Sequence, residues 1–170
     1  MSGRAGRDGG EAGIHLLYNA ADAEVNDTIL CEATPDRARM VQVYRTLRDA
    51  QGKSAEPFFM TTLVDIAERA SKGGLAISQD SASCALAVFR ELGLIETRGA
   101  YASGETARLV RVIPEAGKVE LESSVRYREG LDEQAVFQNF KEWALKENAD
   151  VLQSQIQKPI LPGCAVQQGV

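Results

Sequence analysis

The most regular pattern of apolar and polar positions in the chain lies between residues 78 and 113. Ser78 can cap a helix, and the apolar residues after it recur every three or four positions, which predicts an amphipathic helix. Gly93 stands where a helix favours a left-handed exit residue. A strand starting at Leu94, a glycine-rich tip and an alternating run over residues 108–113 then predict a β-hairpin. This stretch is therefore expected to form the second half of a winged helix.

Two shorter helices are predicted upstream of this stretch. Thr34 and Pro35 are typical of one helix start, and Thr62 and Asp65 have the spacing of a capping box at another. The first of these helices has an apolar face at Met40, Val43, Tyr44 and Leu47, and a polar face with Arg39, Gln42, Arg45 and Arg48. The order predicts an α+β fold, mainly α, with a winged-helix-like three-helix core and a β-hairpin wing, followed by a helical C-terminal tail.

The flanking segments have shorter patterns. An apolar run over residues 14–18 predicts a strand, and Asn19 is a suitable cap for a helix that follows it. A short strand is predicted over residues 118–121, and the serine pair after it is expected to begin a helical tail that breaks near Asn148. The predicted organisation is a leader at residues 1–33, a winged-helix-like domain at 34–114, and a short strand, helical tail and extended C-terminus at 115–170.

Composition narrows the class of protein. The chain has 170 residues, of which 44% are hydrophobic, and its net charge is −5. This charge argues against a protein whose main task is to coat phosphate backbones, because such binding uses many Lys and Arg. No apolar run has the length of a membrane span, so no membrane partner is expected. The three cysteines form no CxxC pair, which argues against a zinc site or disulfides and predicts a reducing, cytoplasmic environment.

Seven short blocks cover much of the chain and form a second kind of pattern. They are GRAGRDG at residues 3–9, HLLYNAAD at 15–22, VYRTL at 43–47, VFRELGLIE at 88–96, KVELESSVRYREGLDE at 118–133, FKEWAL at 140–145 and QKPILP at 157–162. In their order and spacing, these blocks resemble the C-terminal region of bacterial RecJ, the exonuclease specific for single-stranded DNA.

The resemblance implies a part of a nuclease without its catalytic centre. RecJ proteins cleave DNA 5′ to 3′ in an upstream core of the DHH phosphoesterase type, where two metal ions, Mg or Mn, activate water. The chain has none of the Asp- and His-rich motifs of that core, and its single histidine, His15, cannot supply one. The expected role is therefore accessory, in DNA repair and recombination, with no catalytic residue, metal or other cofactor in this fragment. The family also implies single-stranded DNA, handled by the parent enzyme, and single-strand-binding protein as partners.

The first block also resembles the arginine motif of superfamily 2 helicases. In the parent protein, Arg4 and Arg7 would then face nucleotide phosphates, and residues 1–33 would be a remnant of an upstream helicase-C-like domain. RecQ helicases have a similar run, an LLY stretch and a winged helix, so a RecQ-like fragment is an alternative, although their cysteine-rich zinc region is missing here. No ATP site is predicted, because Leu47 stands where a phosphate loop ending at Lys53 needs glycine.

The candidate binding residues lie on the predicted wing, namely Arg98, Tyr101, Arg108 and Arg111. Arginines with a tyrosine suit the phosphates and bases of a single strand, and they also suit an acidic peptide with an apolar end, such as the tail of single-strand-binding protein. An ordinary solvated hairpin has the same composition. The predicted third helix has few side chains that could bind the edges of DNA bases. Its exposed positions are Gln79, Asp80, Ser81, Ser83, Val88 and Arg90.

Two further hypotheses follow from the same patterns. A stand-alone winged-helix regulator that binds duplex DNA as a dimer is a second alternative function. An unpaired strand at residues 14–18 would promote pairing between copies, so a homodimer of the fragment is also possible. The aromatic residues Phe137, Phe140 and Trp143 could stack on a base, but their helical spacing favours a place in the core.

Overall fold

The computed structural model describes residues 18–99, 107–114 and 119–156. Over these residues the chain forms six α-helices, three short strands and one turn of 3₁₀ helix. In chain order they are α1 (Ala20–Ala33), α2 (Arg37–Lys53), β1 (Phe59–Thr61), α3 (Leu63–Ser71), α4 (Gln79–Glu91), β2 (Ile95–Gly99), β3 (Arg108–Val112), the 3₁₀ turn (Leu121–Ser123), α5 (Val125–Lys146) and α6 (Ala149–Ile156). Of the strand predicted at residues 14–18, only Tyr18 is described, and it lies outside any strand.

The central part of the chain, from α2 to β3, is a winged helix, and we call it the winged core. Its antiparallel sheet has the order β1-β3-β2, with Phe59 opposite Val110 and Ile95 opposite Val112. Helix, strand, helix, helix and hairpin follow one another; α2 and α4 pack over one face of the sheet, and α3 packs against both of these helices. The predicted fold class, α+β and mainly α, is confirmed.

A single apolar cluster holds the winged core together. The Phe89 ring of α4 is buried and meets the Tyr44 ring of α2 edge to face, with 5.4 Å between the ring centroids. The predicted apolar face of α2 is in this cluster, and so is the inner face of the sheet. The fully buried side chains of the cluster include Met40, Val43, Leu47, Leu86, Val88, Phe89, Ile95 and Val110. Burial of such side chains contributes roughly 1.5–3 kcal/mol each, so this cluster is the main source of stability.

Several helix ends are where the sequence predicts them. Ser78 caps α4 by accepting a hydrogen bond from the Ser81 N–H, and Thr62 and Asp65 form the capping box of α3. Gly93 has a φ of 69°, in the left-handed region, so the chain turns directly from α4 into β2. The second glycine of the pair after α3, Gly74, also has a positive φ, of 89°.

The predicted start of α2 is wrong by two residues. Asp36 is the cap, and its carboxylate accepts a hydrogen bond from the Arg39 N–H over 2.8 Å. Thr34 instead ends α1, where its N–H donates to the Leu30 carbonyl. The helix capped by Asn19 therefore runs to Ala33 and leaves a short connection that contains the buried Pro35.

The sheet has one strand that the sequence pattern does not predict, and one predicted strand is wrong. β1 has only three residues, which is too short for a period of two to stand out. The strand predicted at residues 118–121 is not formed: Val119 and Glu120 are in no regular element, and Leu121 begins the 3₁₀ turn. The Leu121 side chain is buried against the core, which explains its apolar signal without a strand.

Two positions of α4 that the sequence predicts to be exposed are buried. Val88 has no exposed surface because α4 packs against α2, α3 and the sheet. Ser81 is 2% exposed, and its hydroxyl donates to the Glu32 carbonyl of α1 over 3.1 Å. A three-sided environment buries more of a helix than one apolar face, and for this reason the amphipathic pattern underestimates the burial of α4.

The helices α1 and α5 pack antiparallel beside the winged core, and we call them the α1–α5 layer. Ser124 caps α5, as the serine pair predicts, and the break near Asn148 separates α5 from α6. The Gln134 amide donates to the carbonyls of Leu30 and Thr34, over 3.0 and 2.8 Å. None of the helices in the described ranges is both long and apolar enough to cross a membrane.

Candidate binding surface of the wing

The three-stranded sheet presents one face to the helices and the other to solvent. Side chains alternate along a strand, and residues directly opposite in the register share a face. Arg98 lies opposite Leu109, Arg111 opposite Glu96, and Leu109 also opposite Met60. We call the surface formed by Met60, Glu96, Arg98, Leu109 and Arg111 the outer sheet face.

Arg98 is held in place on this face by an aromatic ring. Its guanidinium carbon lies 4.2 Å from the centroid of the Phe58 ring, which precedes β1. A cation over a ring face contributes about 0.5–1 kcal/mol at an exposed site. Arg98 itself remains exposed, so it presents a preoriented cation. Met60, with 65% of its surface exposed, adds an apolar group to the outer sheet face.

Arg111 has an acidic neighbour on the opposite strand. The distance from its guanidinium nitrogen to the Glu96 carboxylate is 3.9 Å, and both side chains are 46% exposed. Exposed pairs of this length contribute between 0 and about 1 kcal/mol. An anionic group of a ligand can therefore displace the Glu96 carboxylate from Arg111 with little loss of free energy, and Arg111 remains available for binding.

Arg108 lies on the other side of the hairpin. It is opposite Gly99 in the register, two residues from the buried Val110, and therefore on the inner face. It lines a small cavity of about 80 Å³ together with Ser83, Leu86, Ala87, Arg90 and Thr97. The structure thus brings Arg98 and Arg111 to one face and Arg108 close to Arg90 of α4. Tyr101 falls in residues 100–106, and Arg4 and Arg7 fall in residues 1–17, all outside the described ranges.

The solvent side of α4 shares a groove with the first half of α5. Asp80, Glu129 and Glu133 line this groove, which has a volume of about 470 Å³, and Arg126 is the single basic residue in its lining. Three carboxylates against one guanidinium disfavour a phosphate backbone beside α4. The helix that reads DNA in many winged helices is therefore poorly suited to that task here.

Cys84 on α4 has the properties of a structural cysteine. Burial raises the pKa of its thiol, and the nearby Arg126 lowers it by a smaller amount. A thiol with a raised pKa carries less of the reactive thiolate at neutral pH. In the part of the chain that the structure describes, no three His, Cys, Asp or Glu residues are grouped closely enough to hold a metal ion.

The aromatic residues of α5 lie between the two helices of the layer. Phe140 is 6.0 Å from Trp143 and 5.7 Å from Tyr18, measured between ring centroids. Trp143 is half-buried and Phe140 is 40% exposed. Neither these two rings nor Phe137 belongs to the apolar cluster of the winged core, so the core position that their helical spacing favours is wrong.

Two residues at the outer sheet face are not indicated by the sequence. Phe58 and Met60 adjoin or belong to β1, and without that strand nothing places them next to Arg98. The signal that could have found them is the run of apolar residues Phe58, Phe59 and Met60 between Pro57 and the capping box at Thr62. A short apolar run between a proline and a helix cap is typical of an edge strand.

Comparisons with known proteins add no relative. No family model, no curated protein and no solved structure matches the chain. The chemistry of the surface and the resemblance of the seven sequence blocks are therefore the basis for a functional proposal.

Proposed function

We propose that the chain is a non-catalytic accessory region of a RecJ-type single-strand DNA exonuclease that docks a protein partner on its outer sheet face. The observation that carries the docking role is Arg98, preoriented over Phe58 and on the same face of the sheet as the exposed Met60. A cation beside apolar groups suits an acidic peptide that ends in apolar residues. As part of a DNA-degrading enzyme, this region would act in the cytoplasm.

The charge distribution favours the wing over α4 as the docking surface. Two guanidinium groups, Arg98 and Arg111, lie on the outer sheet face with one carboxylate, Glu96. In the groove beside α4, carboxylates outnumber basic groups by three to one. An acidic partner is therefore attracted to the sheet and repelled from the helix.

The docking role predicts a difference between the two faces of the hairpin. Changing Arg98 and Arg111 together to Ala should weaken the binding of an acidic, apolar-ended peptide about tenfold, because two exposed charge contacts contribute about 1.4 kcal/mol together. Fluorescence anisotropy with a labelled peptide measures this. Arg90→Ala with Arg108→Ala is the matched control, since it removes the same two charges away from the outer sheet face and should leave the affinity within about twofold. Equal affinity of the Arg98/Arg111 variant and the parent chain would exclude the outer sheet face as the docking site.

The accessory role also predicts an absence of nuclease activity in the isolated chain. We expect no cleavage of single-stranded DNA with Mg²⁺ or Mn²⁺, because the two-metal chemistry of RecJ belongs to its upstream core. Mn²⁺-dependent cleavage that co-purifies with the chain through successive columns would contradict this proposal.

The stand-alone regulator has one observation in its favour. Arg90 and Arg108 line the same small cavity where α4 meets the hairpin, as expected for two groups that contact duplex phosphates. Binding of duplex in preference to single-stranded DNA, abolished by Arg90→Ala, would support the regulator and count against the accessory role.

A further inference from the structure

The helices α2 and α3 enclose a groove that is strongly basic. Its lining includes Arg45, Lys53, Arg69 and Lys72, with Asp49 as the single acidic residue. The groove has a volume of about 630 Å³, and the rest of its lining is Gln42, Thr46, Ala50 and Gly73. We call it the α2–α3 groove. It is separate from the outer sheet face and shares no residue with it.

This concentration of positive charge is unusual for the chain, whose net charge is −5. The segment Arg37–Lys53 has five basic residues and one acidic residue, whereas Ala20–Ala33 has four acidic residues and no basic one. Positive charge is thus concentrated on α2, whereas α3 with its cap has two basic and two acidic residues, and only the basic pair, Arg69 and Lys72, lines the groove. Segregated charge of one sign in a concave surface raises the local potential and attracts anions.

Folding alone does not account for the four cations. Lys53 and Arg69 lie in the last turns of their helices, and Lys72 is the C-terminal cap of α3, where cations interact favourably with the helix dipole. Arg45 lies in the middle of α2 and has no such role. Within residues 18–99, 107–114 and 119–156, none of the four takes part in an ion pair.

We propose that the α2–α3 groove binds the phosphate backbone of single-stranded nucleic acid. Arg45 and Lys53 are eight positions apart on α2, which is about 12 Å along the helix axis. The charges are thus distributed along the groove, and this suits a chain of phosphates better than one small anion. A flexible single strand can follow a concave groove more closely than a duplex, whose persistence length is about 150 bp.

The residues that line the groove also favour single-stranded nucleic acid over an acidic peptide as the ligand. Among the residues that the structure describes, the only apolar side chain of the lining is that of Ala50 and none is aromatic, so these residues offer no pocket for apolar side chains and no platform for bases. Contacts confined to the backbone give binding without sequence preference and with a steep dependence on salt. A single strand in this groove would leave the outer sheet face free for a protein partner, and the two sites are independent.

The test compares two double variants of the full chain that remove equal charge. Arg45→Ala with Arg69→Ala should weaken the binding of a labelled oligothymidylate about tenfold at low salt and reduce the salt slope by about 1.4, or 0.7 for each phosphate that is no longer neutralised. Arg128→Ala with Lys146→Ala, on exposed positions of α5, is the matched control and should change neither value. The Arg98/Arg111 variant should also bind the oligonucleotide normally. Fluorescence anisotropy over a salt series measures each affinity, and circular dichroism checks each fold.

A variant that keeps the charges makes the test decisive even if replacing the two arginine side chains by alanine disturbs the helices. Arg45→Lys with Arg69→Lys should retain oligothymidylate binding within about threefold, because phosphate neutralisation depends on charge. The proposal is wrong if the parent chain does not bind the oligonucleotide at low salt, or if the groove and control variants lose affinity equally. Competition by polyglutamate as effective as by oligothymidylate would assign the groove to an acidic peptide and overturn it.

Discussion

The winged core and the α1–α5 layer are stabilised by different kinds of contact. In the core, large apolar side chains such as Phe89 and Leu47 are almost completely buried in one cluster. In the layer, the start of α5 adds Tyr127 and Leu131 to that cluster, but the residue of α1 buried to the same degree is the small Ala23, and specific polar contacts join the two helices. Full burial of a large apolar side chain contributes about 1.5–3 kcal/mol, whereas a hydrogen bond contributes about 0.5–1.5 kcal/mol net and depends on its geometry. The layer is therefore expected to open at a lower free energy than the core.

The contacts of the layer are ordered along the two helices. The Lys141 ammonium lies 2.6 Å from the Asp27 carboxylate, and each side chain is about a quarter exposed, at 24% and 27%. Further along, Gln134 binds the last carbonyls of α1, and Gly130 allows the Thr34 side chain to approach the backbone of α5. A methyl group at Gly130 would overlap Thr34, so this glycine fixes how closely the helices pack.

Removal of a core ring should have the largest effect. Phe89→Ala should destabilise the protein by about 3–5 kcal/mol, because it removes a buried ring and leaves a cavity. Phe140→Ala is the same change in the layer, at a ring that is 40% exposed, and should cost about 1 kcal/mol. Urea unfolding followed by circular dichroism gives both values. Similar losses from the two variants would contradict the distinction between core and layer.

A smaller effect is expected at the contact between α1 and α5. Gly130→Ala should destabilise the layer by about 1–2 kcal/mol, since overlap with Thr34 exceeds the gain of about 1 kcal/mol in helix propensity. Gly52→Ala in α2 is the matched control, because nothing lies within 4 Å of the added methyl group. It should stabilise the protein by up to about 1 kcal/mol.

Hydrogen exchange locates the effect of Gly130→Ala. Amides of α1 should exchange faster in this variant while those of α4 keep their protection, because local opening of the layer leaves the core folded. Equal acceleration in α1 and α4 would show that layer and core unfold as one unit.

The smallest effect concerns the joint between the two regions. The Glu91 carboxylate, at the end of α4, accepts hydrogen bonds from the Ser124 hydroxyl over 2.8 Å and from the Val125 N–H over 2.6 Å. The Ser124 hydrogen bond, followed by that of Val125, lowers the pKa of Glu91 below its ordinary value of 4.5. A carboxyl group whose pKa is lower in the folded than in the unfolded state stabilises the protein at pH values above its ordinary pKa. This stabilisation is lost as the pH falls through the lowered pKa of the folded state.

Glu91→Gln should therefore reduce stability at neutral pH, and its difference from the parent chain should shrink below about pH 4.5. Urea midpoints of both proteins at neutral and acidic pH measure this difference, in which the other carboxyl groups cancel. A difference that stays constant over the whole pH range would mean that the charge of Glu91 does not stabilise the joint.

Much of the winged core could be predicted because local signals agree with the fold. Ser78, Thr62 and Gly93 act within one helical turn of their own position, and the apolar face of α2 repeats at helical spacing. β1 could not be predicted because it depends on β3. The cap at Asp36 is local, since it binds the Arg39 N–H, but the Thr34 and Pro35 pair next to it is an equally good start signal. Short elements stabilised by tertiary contacts leave little local pattern.

The candidate sites were predictable only in part. The sequence indicates arginines on the hairpin, but only the strand register separates Arg98 and Arg111 from Arg108. Likewise, the sequence shows the polar face of α2 as Arg39, Gln42, Arg45 and Arg48, but its combination with Arg69 and Lys72 of the next helix depends on how α2 and α3 pack. Side chains from separate elements meet through tertiary structure, which single-sequence patterns do not encode.

The antiparallel pairing of α1 and α5 has a mechanical consequence. Asp27 meets Lys141, Leu30 and Thr34 meet Gln134, and the Thr34 side chain lies beside Gly130, so these contacts follow one another along the pair. A shearing force along the helix axes would act on all of these contacts at once. A pulling force applied between Tyr18 and the end of α5 would instead act on them one after another. The pair would then peel open at low force and lengthen the chain while the winged core stayed folded.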